Sequence, residues 1–94
     1  VRYEIDPTRA REFVAAMGEV RRIRRRDGAQ RWGLFHDTSA EHLYTEVFLV
    51  QSWAEHLRQH ERATWTDRDV TERARAFHVG AEPPEVQHLI AART

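Results

Sequence analysis

Cysteine is absent from the 94 residues, which excludes disulfides, thiolate zinc sites and cysteine nucleophiles together. Lysine and asparagine are absent too, so all fifteen cationic side chains are arginine, balanced by fifteen Asp and Glu. With no net charge, nothing in the totals draws the chain toward nucleic acid or acidic lipid. Glycine and proline number only four and three, and no glycine-rich loop that could cradle a phosphate is present. Long apolar runs are missing: Val47-Phe48-Leu49-Val50 is a run of only four, against the ~20 needed to cross a bilayer. No secretory leader pattern opens the chain. The first residue is Val1, entering a strand directly, and is expected to mark an excised piece of a longer polypeptide.

What is present reads as one small domain. Val1 to Ile5 alternates apolar and polar as a strand does. Asp6-Pro7 supplies an N-cap and a first-turn proline. The stripe Phe13, Met17, Val20 and Ile23 follows at helical spacing, and Gly28 stops it. Strands are expected over Gln30–His36 and Leu43–Gln51, joined by the polar turn Asp37-Thr38-Ser39-Ala40. Ser52 and Glu55 form a capping box opening a helix whose inner face carries Trp53, Leu57 and His60. Thr66 and Asp69 suggest the start of another helix, with Val70, Ala74 and Phe77 inward. Gly80 and Pro83-Pro84 end it, and Val86–Ala92 is expected as the last strand. The order is βαββααβ, a ferredoxin-like α+β protomer: an antiparallel sheet with helices on one face, spanning residues 1–94.

A sheet covered on one side should alternate cleanly, and this one does not. Leu43, Val47 and Leu49 are apolar on one parity, Tyr44, Phe48 and Val50 on the other; Phe35 opposes Trp32 and Leu34 in the preceding strand. The helices can cover only one face, so the other needs a second copy of the sheet, giving a homodimer closed as a dimeric α/β barrel.

Gln51-Ser52-Trp53 followed by Leu57 and His60 resembles the strand-to-helix segment of the antibiotic biosynthesis monooxygenase-like (ABM) dimeric α/β-barrel domains. The stretches Arg24–Gly28, Arg31–Phe35 and Ser52–Arg62 are similar to the soluble C-terminal domain of actinobacterial major facilitator superfamily exporters. The resemblance implies a cytoplasmic dimer, at the inner membrane face where it is covalently joined to a transporter portion outside this chain. It implies no cofactor. The sequence also departs from the enzymes of that superfamily: Gln51 stands where they often carry glutamate, Trp65 where a second histidine is common, and the pocket asparagine has no counterpart.

Trp32, Tyr44, Phe48, Arg31, His36, Glu46 and His88 are the pocket candidates, an aromatic wall with a few polar groups suited to a small hydrophobic aromatic ligand. The same residue types also dominate protein interfaces, and both readings stay open here. Trp53, Leu57 and His60 are taken as dimer or core motif. His56 and His60 have the i, i+4 spacing that can grip a metal, but without a third ligand nearby no metal site is expected; His56 reads as solvated and His60 as a helix–sheet hydrogen-bond donor. The cluster Arg21, Arg22, Arg24, Arg25 and Arg26 reads as a solvated cationic helix end, not a nucleic-acid patch. Thr45, Ser52 and Ser39 lack a nucleophile elbow or His/Asp partners. The leading expectation is a non-catalytic dimerisation module that could sense an aromatic metabolite. The alternative is a cofactor-independent monooxygenase or cyclase on a polycyclic aromatic substrate, with no catalytic residue assigned.

Overall fold

The computed structural model describes residues 1–61 and 63–93, except for the side chains of Gln59 and His60. Its elements follow the order β1 (Arg2–Glu4), α1 (Ala10–Arg26), β2 (Arg31–His36), β3 (Leu43–Leu49), α2 (Trp53–Glu61) and α3 (Trp65–Arg75). Each start has a local cause. Asp6 accepts a hydrogen bond from the Thr8 amide at 3.0 Å and, with Pro7, launches a 3-10 turn over Pro7–Arg9 that runs into α1. At the other end Gly28 takes φ +103°, and the Gly28 and Ala29 amides return to the Arg25 and Arg24 carbonyls at 3.1 and 2.9 Å. These two bonds close a Schellman stop, which only glycine enters without strain.

The Asp37 carboxylate accepts from the Ser39 and Ala40 amides at 2.7 and 3.0 Å, fixing the turn between β2 and β3. The Ser52 hydroxyl accepts from the Glu55 amide at 3.1 Å, one half of the expected capping box; the Glu55 carboxylate pairs with Arg58. The box of α3 lies two residues earlier than expected. Thr64 and Asp67 form it, each side chain bonded to the other's amide, so the Thr66/Asp69 frame is the wrong one.

The sheet is antiparallel in the order β1-β3-β2. Its register sorts the two apolar parities. Tyr3 lies opposite Tyr44, Trp32 opposite Phe48 and Leu34 opposite Glu46, all on the face that α1 and α3 cover. There Tyr3, Ile5, Phe13, Met17, Val20, Tyr44 and Ala74 form the buried core, with Val70, Phe77, Trp32 and Leu34 packed against it. Phe13 is the hub: its ring lies 5.2 to 6.2 Å from those of Tyr3, Tyr44 and Phe77. Arg26 ties α1 to α3 by a forked pair with Asp67, at 3.0 and 2.6 Å.

The last expected strand does not form. Residues 86–93 carry no strand, and the C-terminal segment touches the sheet by a single antiparallel bridge, Arg2 to Glu85. The element order observed is therefore β-α-β-β-α-α, a small α+β fold with a three-stranded sheet.

Candidate functional site

The seven pocket candidates do not converge. The pleat places Trp32, Tyr44, Glu46 and Phe48 on the helix-covered face, and Arg31, opposite Leu49, on the open one. His36 stacks on Tyr44 at 4.3 Å with its Nε2 2.7 Å from the Glu41 carbonyl, at the exposed end of β2. His88 lies in the C-terminal segment, its ring 4.6 Å from that of Trp53.

On the covered face, what the sequence offered as a ligand wall is instead a buried ion pair. Glu46 is 1% exposed; its carboxylate accepts from the Arg24 guanidinium at 3.1 and 3.4 Å and from the Trp32 indole N–H at 2.8 Å. Arg24 also lies 4.7 Å over the Phe48 ring, and Arg21 5.9 Å over Trp32. Arg24 and Arg26 are thus not idle members of a solvated cluster: one satisfies a buried carboxylate and the other holds Asp67. Sequence reasoning missed both pairs, which join residues 22 and 41 positions apart. The hint was a lone Glu46 amid apolar strand neighbours, since a charge at such a position needs a cation brought to it.

Two of the displaced titrations belong to core-facing side chains, Asp67 and Tyr3. The Arg26 hydrogen bonds, followed by the Thr64 amide, hold the Asp67 carboxyl down at about 2. Burial, reinforced by the Glu46 charge, pushes the Tyr3 phenol up to about 12. Neither suits a group meant to exchange protons near neutrality.

The open face is apolar and uncovered. Phe35, Val47 and Leu49 are 59%, 48% and 53% exposed, and Leu43 shares their side. Trp53 and Leu57, expected inside, are nearly half exposed; His60 lies outside the residues whose side chains are described. His56, expected in solvent, is half-buried with its ring 5.3 Å from Trp53 and 6.1 Å from Phe48. A groove of about 300 Å³ runs between β3 and the C-terminal segment, walled by Val47, Phe48 and Leu49 on one side, Val86 and His88 on the other, with Trp53 at its end. Among the described residues no three His, Asp or Glu side chains are grouped to hold a metal ion.

A major facilitator (MFS) family model, described as transmembrane secretion effector, matches residues 1–94. No curated protein and no solved structure matches the chain. Among the described residues no helix is long and apolar enough to cross a membrane. With the match running over its whole length, the chain belongs to the transmembrane secretion effector family.

Proposed function

We propose that this chain is a non-catalytic dimerisation module: the cytosolic C-terminal domain of an exporter or a free-standing relative, closed sheet to sheet on a second copy as an ABM-type dimeric α/β barrel. The observation that carries the reading is the open sheet face. Phe35, Val47 and Leu49 stand half exposed on a rigid three-stranded surface while the opposite face is filled by α1 and α3. Contiguous apolar surface of this kind marks an interface, and a sheet presents the same face in both copies of a two-fold dimer. The half-exposed Trp53 and Leu57 on α2 extend the apolar surface beyond the sheet. Family membership supplies the exporter context.

The oxygenase or cyclase alternative requires a base or hydrogen-bond donors free at a substrate oxygen. Glu46 is committed to Arg24 and Trp32, and His36 sits against the Glu41 carbonyl. Of the seven residues of the metabolite-binding expectation, Glu46, Phe48 and His88 line the groove beside β3. Sedimentation at micromolar concentration tests the module reading: a stable dimer supports it, and a monomer removes it.

A further inference from the structure

The charges of the chain cancel in total but not in space. α1 has 17 residues, about 25 Å of helix, and its two ends differ. Beside its start, the Ile5 amide donates to the His42 carbonyl at 2.7 Å, and the Glu4 amide donates to His78, whose Nε2 lies 2.7 Å from the Glu82 carbonyl. These bonds gather the exposed carboxylates of Asp6, Asp37, Glu41 and Glu82 at that end. The other end closes on arginine. Arg24 and Arg26 are committed to Glu46 and Asp67. Arg21, Arg22 and Arg25, and Arg68 on α3, are exposed, and among the described residues none of them is paired with a carboxylate. Glu19, a turn before Arg22, is the nearest exposed acid on α1 and lies outside pairing distance. Arg22 follows the buried Phe13 by about two and a half turns, so it points straight away from the core. Trp65 precedes the buried Ala74 by the same interval on α3 and points away from the core too. Both helices cover one face of the sheet, and the Arg26–Asp67 fork sets the end of α1 beside the start of α3. Trp65 therefore shares the outer surface of the helix layer with the unpaired arginines. It is 84% exposed, the most exposed aromatic side chain among the described residues, with the Arg68 guanidinium 5.4 Å over its ring.

We propose that this arginine pole is a docking surface for an anionic phospholipid membrane: Arg21, Arg22, Arg25 and Arg68 meet headgroup phosphates, and Trp65 enters the headgroup layer beside them. Charge complementarity carries the choice of partner. Each arginine that reaches an anionic leaflet strengthens binding by about fivefold. Arginine adds a fork of N–H donors that fits phosphate oxygens. An exposed indole has a reason to be there, because tryptophan settles at the boundary between headgroups and acyl chains with its ring in apolar surroundings and its N–H wet. Family membership supplies the neighbour, since a transmembrane secretion effector has a bilayer within reach. The same surface repels the acidic pole, so the chain docks with the end of α1 down and the turn between β2 and β3 away from the lipid. The open sheet face lies on the opposite side of the sheet from α1 and α3 and stays free, so the inference does not rest on dimerisation.

The test is cosedimentation of the chain with vesicles of phosphatidylcholine alone and of phosphatidylcholine mixed with phosphatidylglycerol, at low and at high salt. Binding should require the anionic lipid and fade as salt screens it. Arg22→Gln/Arg25→Gln should weaken it by about tenfold or more, with an unchanged circular dichroism spectrum, because both side chains are exposed. Lipids brominated high on the acyl chain should quench the tryptophan emission of the bound chain. That quenching should vanish in Trp65→Phe, which keeps Trp32 and Trp53. No binding to the anionic vesicles, full binding by the double variant, or quenching retained in Trp65→Phe would each overturn the proposal. Tighter binding to DNA than to the anionic vesicles at the same salt would overturn it as well and assign the pole to nucleic acid.

Discussion

Removing Arg24 should be the most damaging single change available on the surface of α1, and the damage should depend on Glu46. The Glu46 side chain is fully buried and that of Arg24 is 21% exposed, with the guanidinium 3.1 Å from the carboxylate. Arg24→Met keeps most of the stem that packs on Phe48 but leaves a buried carboxylate with the Trp32 indole as its donor. Stranding one member of a buried pair costs about 3–5 kcal/mol, against a total stability of roughly 5–14 kcal/mol for a chain this long. With a urea slope of about 1 kcal/mol/M, the unfolding midpoint should fall by ~3 M or more, or the variant should be unfolded without urea. Glu46→Gln keeps an acceptor for the indole and leaves an arginine that can turn to water, so it should cost only about 1–2 kcal/mol. In Arg24→Met/Glu46→Gln the stranded charge is gone, and most of the Arg24→Met loss should return. Lowering the pH from 7 to 5 should also stabilise Arg24→Met, because protonation removes its buried charge. Urea melts followed by circular dichroism read all four chains. A loss below about 1 kcal/mol for Arg24→Met, or additive losses in the double variant, would refute the reasoning.

Two further predictions concern how the helices are fixed. The Asp67 carboxyl is depressed to about 2 by Arg26, so its stabilising effect is complete above the ordinary aspartate value near 4 and fades as pH falls through 2. Asp67→Asn should cost on the order of 1–2 kcal/mol at pH 7, allowing for solvent around the half-exposed Arg26. The two chains should draw together below about pH 3, and parallel stability profiles down to pH 2 would contradict the Arg26–Asp67 clamp. Two glycines of the α1 region should answer alanine with opposite signs. Gly28→Ala forces a side chain into φ +103° and should cost about 1–2 kcal/mol, whereas Gly18→Ala, mid-helix with open space around its Cα, should gain about 0.5–1 kcal/mol. Thermal melts check both.

The readable parts of the sequence were the local ones. Asp6-Pro7, Gly28, Ser52 and the stripe Phe13, Met17, Val20 act within a few residues of themselves, and the structure uses each of them. The apolar character of both strand parities was readable too, but not which parity faced the helices; that depends on the register that sets Trp32 beside Phe48. Thr64-Asp67 and Thr66-Asp69 offer overlapping capping frames, and the Arg26–Asp67 fork, an interaction across 41 positions, favours the first. The role of Glu46 was hidden for a similar reason. Glu46 looked like a polar group awaiting a ligand because Arg24, on another element, was not visible as its partner. The final strand was misjudged differently: the Val86–Ala92 pattern is strand-like, yet a strand needs a paired neighbour, and the segment meets the sheet at the Arg2–Glu85 bridge alone.

The central claim, that the open sheet face closes on a second copy, is tested most directly by sedimentation equilibrium at about 10 µM on the chain and two adjacent substitutions. The wild-type chain should run at twice its 11.1 kDa mass, consistent with an interface of more than ~1,000 Å². Val47→Arg, on the open face, should give a folded monomer, while Phe48→Arg, one residue on and turned toward the helices, should unfold the domain. A monomeric wild-type chain, or a Val47→Arg variant that remains dimeric, would contradict the account.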